Sequence, residues 1–237
     1  MDRLPVLQTA VSELSWLLGR GYAERSALAL VGNRHALCAR QRKAVSRCAA
    51  ADEAARARRS RRVDAAALAN AVVHVDGFNV IIGGESVWSG GVVLLGRDGA
   101  HRDLASVHGT YARVEQTLGV LDALAGVLAP ARAVVWYLDR PVSNSGRLAG
   151  LVRQCAQEHG CRWDVELVWD PDAVLIGSEA IVATADARIL DAGIAWVDLV
   201  GALVSRAPGR TRVLDLGTER SAERDAPLGP DQPKTSS

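Results

Sequence analysis

Two short β-branched segments that each end near an aspartate restrict the fold more than any other feature of the chain. Residues 72–75 lead directly into Asp76, and residues 181–184 lead to Asp186 after one intervening residue. Runs of this kind are typical of strands buried in the interior of a parallel sheet. Because ligands bind at the carboxyl ends of the strands in such a sheet, both acids are expected to face one crevice.

Strand and helix patterns alternate from residue 66 onward. Apolar runs predict strands at 72–76, 92–95, 133–139, 163–169, 180–184 and 194–197. Helical spacing and capping residues predict helices at 101–128, 145–159 and 198–206, while the glycine pairs at 83–84 and 90–91 indicate an irregular loop. This alternation is typical of an α/β fold with a mostly parallel, Rossmann-like sheet and helices on both of its faces.

The front of the chain has a different composition. Residues 1–62 contain 13 Lys and Arg against 5 Asp and Glu, whereas the remainder contains 15 against 22. Amphipathic spacing over 5–20 and arginine-rich helical spacing from residue 34 onward predict a basic helical module. Such a module suits a polyanion, although arginine-rich helices are also common as solvated surfaces.

The domain organisation that follows is a basic helical module at 1–65, an α/β domain at 66–206 and a tail at 207–237. The tail is rich in proline, glycine and charge and is expected to be disordered. No signal peptide is recognisable and no apolar run reaches membrane-spanning length, which predicts a cytoplasmic protein without membrane contact. The cysteines form no C-x-x-C pair, which gives a zinc site little support.

Four aspartates follow predicted strands or begin predicted helices: Asp76, Asp139, Asp172 (with Asp170 as the alternative to it) and Asp186. Carboxylates at one dry sheet edge repel each other unless they share a cation or a proton. We expect Asp76, Asp139 and Asp186 to bind Mg²⁺ or Mn²⁺, which polarises a phosphodiester and generates a hydroxide nucleophile, with Asp172 as a further catalytic acid. The alternative for each is a helix N-cap, and it is strongest for Asp172 and Asp198.

Several polar side chains near these acids are candidates for binding the substrate: Asn79, Arg97, Arg102, Ser143, Asn144 and Arg147. The last three lie at a predicted helix start after the Asp139 strand, where backbone N–H groups bind anions. An ordinary capped turn is the alternative there. Asn79 is expected either to orient a metal-bound water or to stabilise its own turn.

The region from 70 to 200 resembles the PIN-like nuclease superfamily. Relatives in that superfamily open with Ile/Val-Asp-Gly-Tyr/Phe-Asn, which residues 75–79 match as Val-Asp-Gly-Phe-Asn. Their closing motif, Thr-x-Asp-x-x-Leu after a strand, is similar to residues 184–189, Thr-Ala-Asp-Ala-Arg-Ile, with Leu190 next. The resemblance implies a PIN-like fold, middle acids at Asp139 and Asp172, and Glu115 as a helical acid.

The whole chain is also similar to a family of uncharacterised prokaryotic proteins, domain of unknown function four hundred and thirty-four. The motifs that carry this similarity lie at 18–22, 30–34, 41–42, 89–93, 96–99, 102–109 and 141–148. They are long and specific, but the family implies no activity.

These features together favour a metal-dependent nuclease, with RNA favoured over DNA, that grips its substrate with the basic front module. Two alternatives stay open: a PIN-like fold that binds RNA or a protein without cleaving, and a small-molecule phosphohydrolase on the same acidic edge. The oligomeric state is also open, with a homodimer as one option.

Overall fold

The computed structural model describes residues 3–104 and 114–217. The front of the chain forms helices α1 (Leu4–Leu18), α2 (Glu24–Arg34), α3 (Ala39–Cys48) and α4 (Asp52–Arg61). A short 3-10 turn at Ala65–Leu68 leads from these helices to the first strand.

The rest of the described chain alternates between strands and helices. The strands are β1 (Val72–Asp76), β2 (Val92–Leu95), β3 (His101–Asp103), β4 (Ala133–Asp139), β5 (Trp163–Val168), β6 (Ile181–Ala183), β7 (Trp196–Val197) and β8 (Arg212–Asp215). The helices are α5 (Gly77–Trp88), α6 (Val114–Leu128), α7 (Ser145–His159), α8 (Pro171–Ile176), α9 (Ala187–Asp191) and α10 (Leu199–Arg206). None of the described helices is long and apolar enough to cross a membrane.

Five of the strands form one parallel sheet in the order β5-β4-β1-β6-β7. The chain builds outward from β1 through β4 to β5, and then returns to the other side of β1 for β6 and β7. The expected α/β fold with a mostly parallel sheet is therefore confirmed. The strand order reverses between β1 and β6, which is the point where doubly wound sheets bind their ligands.

Helices cover both faces of this sheet. On one face, α5, α6, α7 and α10 bury Val75 and Trp136 completely. On the other face, α8 and α9 place Leu175 and Ile189 against Tyr137. Burial on both sides explains why β1 and β4 read as continuous apolar runs.

The remaining strands form a second, smaller sheet in the order β3-β2-β8. β2 pairs antiparallel with β3 and parallel with β8. Helices α1 and α3 pack on this sheet, where Leu14, Val45, Leu94 and Leu216 share one buried cluster. The small sheet therefore joins the front helices to the large sheet.

The expectation of a disordered tail at 207–237 is wrong for its first part. Residues 212–215 form β8, because Leu214 and Leu216 bury their side chains beside the front helices while the backbone pairs with β2. Residues 218–237 lie outside the described residues.

The predicted helix at 101–128 is wrong at its start. The turn at Gly99, whose φ is +82°, reverses the chain, so that the residues after it pair with β2 as strand β3. The described part of helix α6 is Val114–Leu128, and residues 105–113 lie outside the described residues.

The glycine pair at 83–84 lies inside helix α5 rather than in the predicted loop. A β-carbon at Gly83 would lie 2.5 Å from Cγ2 of Val200 in α10, and one at Gly84 would lie 2.6 Å from Cγ1 of Val120 in α6. These glycines let three helices approach closely, and this packing outweighs the low helix propensity of glycine.

Gly83→Ala is expected to lower the free energy of unfolding by about 1–3 kcal/mol, because the added methyl group overpacks the contact with Val200. Gly150→Ala in α7 is the matched control, since nothing lies within 4 Å of its added β-carbon. The control should stabilise the protein by about 0.4–1 kcal/mol, because alanine has less entropy to lose on folding. Urea unfolding of both variants measures the difference, and equal stabilities would contradict the close-packing account.

Candidate functional site

The carboxyl edge of the large sheet borders a cleft of about 620 Å³. The structure brings the predicted catalytic acids together in the lining of this cleft: Asp76, Asp139, Asp172 and Asp186. The lining also includes residues of the front helices, among them Glu24 and Arg47. The cleft thus lies at the switch point of the sheet and is closed on one side by the front of the chain.

Asp76 is the most enclosed of these acids, with 9% of its surface exposed. Burial, together with the charges of Asp186 and Asp172, raises the pKa of Asp76 to about 7. Hydrogen bonds from the Thr184 hydroxyl and the Asn79 backbone oppose this shift without cancelling it. Within the described residues, Asp76 has no arginine or lysine partner in an ion pair.

Two polar side chains tie the end of β6 to the end of β1. The Thr184 hydroxyl donates to Oδ2 of Asp76 (2.8 Å) and accepts from the backbone N–H of Asp186 (3.0 Å). Oδ1 of Asn79 accepts from the backbone N–H of Ala185 (3.0 Å). These bonds hold Asp76 and Asp186 at a fixed separation across the switch point.

Arg188 connects Asp186 with Asp172 on the exposed rim of the cleft. Oδ1 of Asp186 accepts from the backbone N–H of Arg188 (2.8 Å), and Nη1 of Arg188 donates to Oδ2 of Asp172 (3.1 Å). Burial and the charge of Asp186 raise the pKa of Asp172 against the effect of the Arg188 cation. The N-cap alternative applies to Asp186, which caps α9, and to Asp198, which caps α10, whereas Asp170 rather than Asp172 caps α8.

Asp139 ends the neighbouring strand β4. Burial and the charge of Asp170 raise its pKa, although a hydrogen bond from its own backbone opposes the shift. Asp76, Asp139 and Asp172 are therefore all shifted toward the protonated form. Burial is the largest cause of each shift and neighbouring acids add to it, while Arg188 offsets part of the shift of Asp172.

The spacing of these acids fits a hydrated ion better than a dehydrated one. Among the described residues, a group of three side chains with all ligand atoms within 4.8 Å of one another occurs away from the cleft. It consists of Asp122, Cys155 and His159. The strand-end acids are more widely spaced. Mg²⁺ binds through one or two carboxylates and keeps several waters, so the oxygen-only donor set fits it. Asp103, which also lines the cleft, adds a buried Oδ1 without a hydrogen-bond partner among the described residues.

A buried ion network lies behind the site. Arg102 donates to both oxygens of Asp98 (2.8 and 2.7 Å), and Nη1 of Arg58 donates to Oδ2 of Asp98 (2.9 Å). Arg58 also binds both oxygens of Asp191 (2.7 and 2.8 Å). Although burial opposes it, the hydrogen bonds and charges of Arg102 and Arg58 lower the pKa of Asp98 to about 2.

Two of the three arginines predicted to contact the substrate, Arg97 and Arg102, are engaged inside the protein. Arg102 is 8% exposed, and its Nε donates to the carbonyl of Ala185 (2.9 Å), which fixes the segment before Asp186. Arg97 donates from Nη1 to the carbonyl of Ala50 (2.9 Å) and to Oδ1 of Asp52 (2.7 Å). Both therefore position other parts of the fold.

The predicted anion cradle lies outside the described lining of the cleft. Ser143, Asn144 and Arg147 are exposed and are absent from the described residues that line the cleft. Asn144 begins α7 with a left-handed φ of 71° and makes no side-chain capping bond. Ser145 instead donates to the carbonyl of Val142 (2.7 Å), which is typical of an ordinary turn. Glu115 is also exposed and outside the described cleft lining.

The arginine run of α4 is largely engaged in internal contacts. Arg58 is 6% exposed in its ion network, while Arg59 and Arg62 donate to backbone carbonyls of the turn between β2 and β3. Arg62 also pairs with Asp198 (3.6 Å). These three arginines hold the front helices on the rest of the fold, so neutralising them would test docking rather than polyanion binding.

Sequence reasoning missed the pairing of Arg140 with Trp169. Arg140 directly follows Asp139, and Trp169 follows β5, so both lie at the carboxyl edge. The guanidinium carbon of Arg140 lies 5.3 Å from the Trp169 ring centroid, and Trp169 is 72% exposed. The available signal was their position immediately after two neighbouring parallel strands.

In a comparison with known proteins, the two parts of the chain match different family models. A model described as "Domain of unknown function (DUF5616)" matches residues 65–202, and one described as "Protein of unknown function (DUF434)" matches residues 6–61. The similarity predicted for the front is thus confirmed, while the back matches a separate model. The chain is 28% identical over 186 residues to "Uncharacterized protein MJ0935" of Methanocaldococcus jannaschii, over 78% of this chain and 88% of that protein. No solved structure matches the chain.

Proposed function

The chain belongs to the family described as Domain of unknown function (DUF5616), whose description names no activity, and we propose one from the chemistry of the acidic edge. The protein is a Mg²⁺- or Mn²⁺-dependent nuclease that cleaves single-stranded RNA in preference to DNA. The proposed fold of the α/β part is PIN-like. The support for both is an order-reversing parallel sheet with acids after β1, β4 and β6.

The observation that carries the proposal is the contrast between Asp76 and Asp98. Both are buried, but two arginines neutralise Asp98 and lower its pKa to about 2. Asp76 has no basic partner in the described residues, and its pKa rises to about 7. A buried carboxyl group with a purely structural role is normally paired. One that faces other acids in a cleft is a candidate for metal binding.

The donor residues of the proposed site are those that end the central strands. Asp76, Asp139 and Asp186 would hold the ion, and Asp172 would act from the rim. When bound, the ion would polarise the phosphodiester and activate a water molecule.

The chain itself supplies the positioning of these donors. Thr184 orients Asp76 through its hydroxyl, and Arg188 orients both Asp186 and Asp172. Arg102 fixes the backbone just before Asp186 by binding the carbonyl of Ala185. Rotation of these acids is thus restricted before any ion binds, which lowers the cost of assembling the site.

A polymer substrate is favoured because binding groups extend beyond the cleft. Trp169 offers an exposed ring on which an unpaired base can stack, and Arg140 can contact the adjacent phosphate. Stacking of this kind requires unpaired bases, so a single strand fits better than a duplex.

Trp169→Ala is expected to weaken single-stranded RNA binding by roughly 5- to 150-fold, which corresponds to the loss of one stacked base at about 1–3 kcal/mol. Fluorescence anisotropy with a labelled oligonucleotide measures the affinity. The protein with Trp169 and the Trp169→Ala variant both carry Asp76→Asn to prevent cleavage. Trp16→Ala in α1 is the matched control, since Trp16 is 55% exposed and its ring also pairs with an arginine, Arg20, which follows that helix. The control should leave the affinity unchanged, and equal losses in both variants, or none, would contradict the placement of RNA.

A binding module without catalysis is the second candidate. The ion pair between Asp172 and Arg188 and the wide spacing of the acids favour it, because binding requires no assembled metal centre. This function would be selected if the protein binds RNA equally well with and without chelator and cleaves neither RNA nor DNA in Mg²⁺ or Mn²⁺. Hydrolysis of a small phosphomonoester by a protein that leaves both polymers intact would select a phosphohydrolase instead.

A further inference from the structure

We infer that the chain carries a Zn²⁺ site on the surface of its helical layer, formed by Asp122 of α6 with Cys155 and His159 of α7. The proposed nuclease chemistry uses none of these residues. His159 is the last residue of α7, which starts after the carboxyl end of β4 and returns toward the amino end of β5. The zinc site therefore lies toward the edge of the sheet opposite the acids.

The three ligand atoms are already close together. Nε2 of His159 lies 3.1 Å from Oδ1 of Asp122, and Sγ of Cys155 lies 4.0 Å from the same oxygen. All three atoms lie within 4.8 Å of one another. Zinc bonds of about 2.0–2.3 Å place tetrahedral ligand atoms roughly 3.3–3.6 Å apart, so small side-chain adjustments complete the site.

The helices present these residues to one another for simple geometric reasons. Cys155 and His159 are four residues apart in α7 and therefore lie on one face of it. That face packs on α6, which supplies Asp122. A search for C-x-x-C pairs does not detect the pattern Cys-x-x-x-His on a helix, which is why zinc had little support from the cysteine spacing.

The surroundings of the thiol favour a cation. Cys155 is buried, and its Sγ lies 4.0 Å from a carboxylate oxygen of Asp122. This carboxylate attracts Zn²⁺, which deprotonates a coordinating thiol outright and releases one proton on binding. Three protein ligands leave a fourth position for water.

The bound ion would join α6 to α7. Without it, Asp122 and His159 form a pair whose side chains are 56% and 41% exposed, and such pairs contribute little to stability. An ion that binds only the folded state raises stability in proportion to its affinity. Zinc is thus expected to stabilise the helical layer independently of the acidic edge.

The full chain is stripped of metal with chelator and then dialysed. Its binding of zinc tests the site directly. ZnCl₂ is titrated calorimetrically in excess Mg²⁺, which competes with zinc for carboxylate oxygens such as those of the acidic edge. Co²⁺ is used in a parallel titration to report thiolate ligation by its absorption. The wild type should bind one zinc per chain, show the thiolate–cobalt absorption and melt at a higher temperature with zinc.

Cys155→Ala and His159→Gln should each weaken zinc binding by more than about 100-fold, since loss of a mere outer partner already costs about 10- to 100-fold. Cys48→Ala is the control for a buried thiol, because Cys48 is 1% exposed and has a pKa raised to about 12 by burial. It should bind zinc as the wild type does. Unchanged affinity in His159→Gln, whose exposed site tolerates the change, or absence of the thiolate absorption, would overturn the proposal.

Discussion

Asp76→Asn is expected to abolish Mg²⁺- or Mn²⁺-dependent RNA cleavage and to stabilise the metal-free protein. The amide keeps the shape of the side chain and still accepts the Thr184 hydroxyl, but it removes the charge that a divalent ion needs. The loss of activity should reach at least about a thousandfold, because a bound metal supplies several kcal/mol of transition-state stabilisation. Stability should rise because one of several crowded acids no longer repels the others.

The pH dependence of stability provides an independent check on Asp76. Folding raises its pKa from 3.8 to about 7, so the folded state holds the proton over a pH range in which the unfolded state has lost it. The contribution of Asp76 to the free energy of unfolding of the metal-free wild type therefore falls as pH rises from 3.8 to about 7. Above that pH the contribution is constant. Asp76→Asn should flatten the decline, which urea unfolding in chelator at several pH values measures.

Asp164→Asn is the matched control for both measurements. Asp164 is an exposed acid on β5 and is absent from the described residues that line the cleft. Its amide variant should retain cleavage and the full pH dependence. If it behaves as Asp76→Asn does, the effects come from general charge and not from the acidic edge.

Asp98→Asn is expected to cause the largest loss of stability, about 3–5 kcal/mol. Its carboxylate is 1% exposed and neutralises Arg58 and Arg102. Its loss leaves the buried Arg102 without this counter-charge and takes one of two acidic partners from Arg58, which keeps Asp191. Asp172→Asn is the comparison, because its pair with Arg188 is exposed and should change stability by less than about 1 kcal/mol. Similar urea midpoints for the two variants would contradict the structural role of the network.

The network also has a consequence for the site. Arg102 holds the carbonyl of Ala185, so a protein weakened at Asp98 should position Asp186 less well. Activity of Asp98→Asn should therefore fall even at temperatures at which the variant stays folded. Circular dichroism in parallel with the cleavage assay separates the two effects.

The central strands and the meeting of their acids could be predicted from the sequence. β1 and β4 have the predicted bounds, because burial on both faces leaves an uninterrupted apolar run that ends where the chain reaches the open edge. Parallel pairing then places the ends of these strands side by side, with Asp76 opposite Tyr137 and Asp139 opposite Val168. Topology alone therefore brings the acids to one cleft.

The remaining errors come from contacts between residues far apart in the chain. The arginine run of α4 looks like a free surface until Arg58 meets Asp98 and Asp191, 40 and 133 residues away. The glycines of α5 indicate a loop unless the neighbouring helices are known to pack against them. β8 pairs with a strand from the middle of the chain, which no local pattern reveals.

The chemistry of the acidic edge is tested most directly by incubating the purified full chain with end-labelled single-stranded RNA in Mg²⁺, Mn²⁺ or chelator and identifying the product ends. Attack of water on phosphorus breaks the bond to the leaving oxygen and gives one phosphate end and one hydroxyl end, whereas attack by the RNA 2′-hydroxyl gives a cyclic phosphate. We expect the wild type to cleave RNA in either metal but not in chelator, and to leave no cyclic phosphate. Asp76→Asn and Asp186→Asn should each lose cleavage. Intact RNA under all conditions, or cleavage that survives chelator or both substitutions, would contradict it.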